Sequence, residues 1–155
     1  MTHTYSATLS WQGSTGDGYR AYSRSHAASA SPAEASLQLT ADPTYRGDAS
    51  DLNPEQLLLM AASSCQLLSF LAVAALGKVD VVAYEDTAEA FMEHSRGPMK
   101  IDRIVLRPLI RVAGAADLDQ ILQMVRKAHE DCFIANSLNS TIEIEPRIEF
   151  TGAGA

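Results

Sequence analysis

A nearly unbroken apolar run from Leu57 to Leu76 is the feature that most limits how this chain can fold. Asn53 precedes it as a good N-cap, and Pro54 suits the first helical position, where its missing N–H costs nothing. Gln56 stands three residues after Asn53, in the arrangement of a capping box. The spacing predicts a helix from Pro54 to about Leu76, closed by Gly77 as the residue after its C-cap. Apolar around most of its circumference, such a helix needs cover on nearly all sides. Its length approaches the ~20 residues that cross a bilayer. Ser63, Ser64, Gln66 and Ser69 interrupt it, however, Glu55 and Gln56 lead into it, and no basic cluster flanks it. The expectation is a core helix and no membrane partner.

Around this helix the chain reads mostly as strands. Tyr5 to Trp11 alternates, with Tyr5, Ala7, Leu9 and Trp11 on one face, and Gly13 to Gly18 is a turn. Glu34 to Thr40 alternates more weakly. Ala41 to Leu52 is a loop of about a dozen residues, a length that tends to carry function. Val81 to Met92 and Lys100 to Val112 read as long strands, and Thr141 to Phe150 as the last. In the last, Ile142, Ile144, Ile148 and Phe150 face one way and Glu143, Glu145, Arg147 and Glu149 the other. The row Arg103, Arg107, Arg111 complements those acids, as on a solvated sheet face with cross-strand pairs. Asp117 to Asp131 has helical spacing, with Asp117 and Gln120 as a capping pair. The order predicts an α+β chain with a single domain over 1–155 and a meander-like antiparallel sheet covering the helices.

A formal charge of −7 argues against nucleic acid, whose phosphates reward clustered Lys and Arg. The opening Met-Thr-His-Thr-Tyr-Ser has neither a basic nor an apolar leader region, so a cytoplasmic protein is expected. Two cysteines in that setting do not read as a disulfide framework.

Cys65 sits near the middle of the long helix, where a cysteine is commonly inert packing. If reactive, it lies beyond the reach of the helix N-terminal dipole and needs a cation from elsewhere, an arginine being the candidate. Cys132 ends the second helix on its apolar stripe and faces inward. The two could be buried thiols, an attacking and a resolving thiol, or, with His129, three soft metal ligands. No fourth ligand is evident, and no G-x-S-x-G elbow suggests a serine hydrolase.

The segment Asn53-Pro54-Glu55-Gln56-Leu57, followed by small residues and Ser64-Cys65, resembles the N-P-E-x-L…A-C segment of the OsmC/Ohr family. That family comprises osmotically inducible protein C and the organic hydroperoxide resistance proteins. His129-Glu130-Asp131-Cys132 is similar to its second-cysteine segment, and the element order matches across nearly the whole chain. The resemblance implies an OsmC-like fold, with sheets wrapped on two long helices in an intertwined homodimer whose active sites lie at the subunit interface. It implies a cofactor-free, metal-free peroxidase in which Cys65 attacks an organic hydroperoxide and Cys132 resolves the sulfenic acid, with a dithiol reductant of lipoyl type. Glu55 matches the family's catalytic glutamate, although the helix dipole alone also favours an acid there. The family's arginine falls on Arg24 when counted from the second strand and on Arg46 when counted from Asn53. Phe133 to Ser137 replaces the family's Cys-Pro-x-Ser form, and residues 13–32 lack the Gly-Gly-Arg pattern, which indicates a divergent subgroup. The alternative function is a binding module for an apolar or acyl ligand, with Cys65 lining its pocket. Leu57, Leu58, Leu67, Leu68 and Phe70 surround Cys65 in sequence, so an alkyl or aryl hydroperoxide is expected to outcompete hydrogen peroxide.

Overall fold

The computed structural model describes residues 1–94 and 96–152. They fall into two compact units, one over Met1–Leu57 and one beginning at Leu58. The division lies inside a continuous helix, α1, Pro54–Leu76.

In the first unit, β1 (Thr8–Ser10), β2 (His26–Ser29) and β3 (Ser36–Leu39) form an antiparallel sheet in that order. Beyond β3 the loop closes on itself, with the Thr40 N–H donating to the Leu52 carbonyl at 2.9 Å. Gly47 is required there, since a Cβ would meet the Ala41 carbonyl oxygen at 1.5 Å. The buried residues of this unit are Leu39, Thr40 and Asn53. Tyr5 and Leu9, placed on one face of the first strand by their alternation, are 90% and 63% exposed, and that strand is shorter than the alternation suggested. A three-stranded sheet with so little burial leaves several large apolar side chains open, Tyr5, Leu9 and Leu37 among them.

The bounds of α1 match the local signals. The Asn53 side chain accepts from the Gln56 N–H at 2.9 Å, and the Gln56 side chain accepts from the Asn53 N–H at 3.0 Å. At the far end the left-handed residue is Lys78 (φ 59°), not Gly77. Lys78 N–H donates to Ala75 O and Val79 N–H to Ala74 O, the paired bonds of a Schellman ending. Gly77 serves close packing instead, because a Cβ there would meet Met124 Cε at 2.3 Å. A lysine in the left-handed region carries a Cβ–carbonyl clash that glycine lacks. Lys78→Gly should therefore raise unfolding stability by about 1 kcal/mol, read as a higher denaturant midpoint at constant m-value.

One stripe of α1 is buried: Ala62, Gln66, Phe70 and Ala74, spaced four apart. Phe70 and Ala74 pack with Ile110, Val112, Ile121 and Val125, while Ala62 packs with Ile104 and Leu106. Gln66 joins the stripe by donating its Nε2 to the Val125 carbonyl at 3.2 Å. The other side carries Met60, Leu68, Leu71 and Leu76 into the open. Burial on nearly all sides is thus not reached within one protomer. By length and composition α1 could cross a membrane; one of its stripes packs in the core.

The second unit holds two more three-stranded sheets. In one, β4 (Asp80–Asp86), β7 (Pro108–Ala113) and β9 (Arg147–Thr151) run in the order β4-β7-β9; in the other, β5 (Glu89–Phe91), β6 (Arg103–Leu106) and β8 (Thr141–Ile144) run in the order β5-β6-β8. Each long strand expected from sequence is therefore two, divided at Thr87–Ala88, at Arg107 and at Glu145–Pro146. Asp86 secures the division by accepting the Arg107 N–H at 2.7 Å on one oxygen and the Ser63 hydroxyl on the other. The α+β class holds, but the pairing is mixed: β4–β7 and β5–β6 are antiparallel, whereas β6–β8 and β7–β9 are parallel. Helices α2 (Leu118–Glu130) and α3 (Phe133–Ser137) lie between β7 and β8 and provide the long crossover that parallel pairing requires. The charge rows pair across strands as anticipated, Arg107 with Glu89 and Glu145, and Arg111 with Glu149 at 3.0 Å. All are exposed and contribute little individually.

Candidate functional site

Helix α2 begins at Asp117, whose side chain accepts the Gln120 N–H at 3.2 Å, and ends at Glu130. The chain then turns, and Cys132 caps α3: its sulfur accepts the Ala135 N–H at 3.4 Å. This short helix was not legible in the sequence, where Cys132 read as the end of α2. Cys132 is 1% exposed, while Cys65 is half-buried on α1.

The two thiols are hydrogen-bonded to each other. The Cys65 sulfur also receives the N–H groups of Ile134 and Phe133, from the first turn of α3, and the hydroxyl of Ser69, one turn along α1. Burial pushes the Cys65 thiol up, but the Ile134 amide, the Cys132 thiol, the Phe133 amide and Ser69 together outweigh it and hold Cys65 below its ordinary value. Cys132 moves the opposite way. Burial and its bond to Cys65 raise it, and the Ala135 amide only partly offsets them. The pair thus divides its protons: Cys65 ionises first, and Cys132 stays a thiol that donates to it.

This corrects the expectation that only a cation could stabilise the Cys65 thiolate. Within this unit the stabilising groups are amides, a thiol and a hydroxyl. Ser69 had a sequence signal, its i+4 spacing from Cys65; the amides had none. A pH dependence follows. Alkylation of Cys65 should rise with pH and level off with a midpoint below that of an unperturbed thiol. Cys132→Ala removes a donor that favours the thiolate, so it should move that midpoint upward and slow alkylation at pH 7. An unchanged or lower midpoint would show that Cys132 is not the donor.

Beside Cys65 lies a cavity of about 430 Å³, walled by Leu68, Ala72, Val73, Leu76 and Phe133, with Ser69 and Asp131 at its polar edge. It is apolar as expected, but built from other residues. Of the five side chains suggested by sequence, only Leu68 lines it. Phe70 is in the core, Leu58 packs toward Ala62, and Leu67 faces a separate groove beside Tyr84.

The other site residues expected from the sequence lie in the first unit. Arg24 and Glu55 share a cleft of about 210 Å³ with His26, Thr40, Asp42 and Tyr45. The Arg24 guanidinium donates to the carbonyls of Tyr19 and Tyr22 and lies over both rings, 3.7 Å from the Tyr22 centroid and 4.7 Å from that of Tyr19. One Glu55 carboxylate oxygen, Oε2, is buried with no hydrogen-bond partner among the described residues. Arg46, at the left-handed end of the Pro43–Tyr45 turn, is exposed and is not among the residues that line the cleft. Geometry therefore places Arg24 beside Glu55.

His129 does not join the cysteines. It lines a different cavity, with Leu122, Val125, Arg126, Ile142 and Ile144. Among the described residues no group of three or more His, Cys, Asp or Glu is placed to hold a metal.

A mixed α+β fold with one thiol of a polarised pair on its core helix defines a dithiol protein. Residues 47–147 match the family described as OsmC-like protein, and the chain belongs to that OsmC/Ohr family. It is 29% identical to an OsmC-like protein of unknown function from Vibrio cholerae, with a TM-score of 0.82 over 96% of this chain and 100% of that one. An organic hydroperoxide resistance protein OsmC from Legionella pneumophila shares the fold at a TM-score of 0.68 and 16% identity, over 96% of this chain and 98% of that one. The uncharacterized protein YmaD of Bacillus subtilis is 21% identical over 102 residues, which is 64% of this chain and 68% of YmaD.

Proposed function

We propose that this chain is a cysteine-based peroxidase that reduces organic hydroperoxides. The observation that carries the reading is the hydrogen-bonded thiol pair, polarised so that Cys65 is the nucleophile and Cys132 the proton-bearing partner, beside an apolar cavity. The Cys65 thiolate attacks the distal oxygen of ROOH; the O–O bond breaks, RO⁻ leaves and takes a proton, and Cys65 becomes a sulfenic acid. Cys132 then attacks that sulfur, a disulfide forms and water departs. A dithiol returns both thiols and is itself oxidised to a disulfide. Lipoyl-type dithiols, in the cytoplasm where such pools are kept reduced, fit that role. The relatives named as organic hydroperoxide resistance proteins support the same chemistry.

The working unit in this reading is a homodimer. Support comes from the apolar surface a single chain leaves open, on the sheet of the first unit and on the Met60–Leu76 side of α1. Arg24 and Glu55 are proposed to complete the peroxide site, the arginine stabilising developing oxyanion charge and the glutamate holding it in place.

Free-thiol titration tests the reading. One equivalent of cumene hydroperoxide should consume both thiols of each chain, and faster than hydrogen peroxide does, because an aryl tail gains roughly 25 cal/mol per Å² buried in the cavity. Retention of both thiols would favour a pocket that merely binds apolar ligands.

A further inference from the structure

We propose that His26 is the proton donor of the peroxide site: its Nε2 gives the leaving alkoxide a proton as the O–O bond breaks. The proposal rests on the peroxidase reading, in which the cleft holding Arg24 and Glu55 serves the Cys65 of a partner chain.

Strand periodicity turns this ring into the cleft. Tyr22, Arg24, His26 and Ala28 are half-buried while Ser23, Ser25 and Ala27 are exposed. Period-two alternation thus begins ahead of β2 and puts Arg24 and His26 on one face. Strand β3 lies alongside, with Leu39 opposite His26, and leads directly into Thr40 and Asp42 of the same cleft, which Tyr45 and Glu55 complete. The backbone is pinned here, since Gln38 Nε2 donates to the His26 carbonyl at 3.1 Å.

The ring's hydrogen bond fixes which nitrogen exchanges a proton. Nδ1 lies 2.8 Å from the Arg24 carbonyl oxygen. That oxygen can only accept, so Nδ1 keeps its proton whether the ring is charged or neutral. The proton that an imidazole gains and loses near neutral pH is therefore carried on Nε2. Nε2 has no hydrogen-bond partner among the described residues, and the ring lines the cleft. The other groups there are poorly suited to the task. Carboxylates such as Glu55 and Asp42 have no proton to give, and the Arg24 guanidinium does not release one. The hydroxyls of Thr40 and Tyr45 hold theirs more tightly than an imidazolium does. Arg24 then stabilises the developing negative charge, and His26 removes it.

The step balances in atoms and electrons. The Cys65 thiolate takes the distal oxygen with its hydrogen, and the electron pair of the O–O bond leaves on RO⁻. The Nε2 proton converts RO⁻ to ROH and leaves a neutral ring that retains its Nδ1 proton. Once the dithiol has restored Cys65 as a thiol, its ionisation returns one proton to solvent, from which Nε2 is recharged.

A leaving group that needs no proton separates this role from a structural one. An alkoxide is a strong base and departs poorly unless protonated, whereas the carboxylate released from a peroxycarboxylic acid is a weak base and departs unaided. The experiment follows first-turnover consumption of cumene hydroperoxide and of peroxybenzoic acid by stopped flow, in the wild-type protein and in His26→Gln. Glutamine keeps an N–H for the Arg24 carbonyl but has no proton to transfer. The variant should react about a hundredfold more slowly with cumene hydroperoxide, and no more than a few-fold more slowly with the peroxy acid. Equal slowing toward both would make His26 structural, and no slowing toward either would make it a bystander; each result overturns the proposal. The wild-type protein gives a second reading that does not depend on the variant folding. Deuterium oxide should slow its reaction with cumene hydroperoxide more than its reaction with peroxybenzoic acid, and equal isotope effects would overturn the proposal too. Wild-type inertness toward both peroxides is a separate failure, that of the peroxidase reading, and takes this proposal with it.

Discussion

Cys65→Ser is expected to reduce peroxide consumption to the uncatalysed rate, whereas Cys132→Ser should consume one equivalent per chain and then stop. The difference follows from the two environments. Cys65 receives four donors and ionises first, and a serine hydroxyl in its place remains protonated at neutral pH and cannot attack. Cys132 is buried, its thiol is held protonated, and its part comes after the sulfenic acid has formed. Serine at 132 retains an O–H donor toward Cys65, so the first attack survives, but it cannot form a disulfide. The sulfenic acid should accumulate on Cys65 and be captured by dimedone, adding one label per chain by mass. If Cys132→Ser alone blocks that first equivalent, the attacking and resolving roles are reversed.

A mixture of Glu55→Ala and Cys65→Ser chains is expected to recover activity that neither variant has by itself. Helix α1 is continuous from Pro54 to Leu76, so the ten residues between Glu55 and Cys65 span about 15 Å along its axis. An arginine–carboxylate contact is near 2.8 Å, and the same guanidinium would have to reach the reacting sulfur. In the proposed dimer, the glutamate that serves a given Cys65 comes from the partner chain. After free exchange half the dimers are mixed and each holds one intact site, giving about a quarter of the wild-type rate by two-fold symmetry. Glu55→Ala homodimers should be crippled and Cys65→Ser homodimers inactive. Demonstrated exchange without recovery would place both residues in one chain's site and remove the inter-subunit geometry.

Legibility in the sequence followed the range of the interactions. Helix α1 was readable to the residue because its start is set by the Asn53–Gln56 capping box, a contact across three positions. Its end at Leu76 was legible as well, but the left-handed residue beyond it is Lys78 and not Gly77, which packs against Met124. The long strands were overextended for a related reason. Alternation continues through Arg107 and Glu145, but Asp86, about twenty positions before Arg107, takes the Arg107 amide and ends the ladder. The expectation of antiparallel pairing held except at β6–β8 and β7–β9, which are parallel, because alternation reports which face a residue occupies, never which strand lies beside it.

By itself the sequence determined the α+β class, the core helix that carries Cys65, the second helix leading to Cys132, and the acid at position 55. Those are consequences of periodicity, capping and short motifs, all written within a few residues of one another. Only the tertiary structure showed which thiol ionises more readily, because most of the groups that lower Cys65 lie at the start of α3, nearly seventy residues away in sequence. It also separated Arg24 from Arg46: both were reached by counting along the chain, but only Arg24 folds into the cleft beside Glu55. A thiol's acidity and an arginine's partner depend on the groups that surround them in space, and chain position alone does not specify those groups.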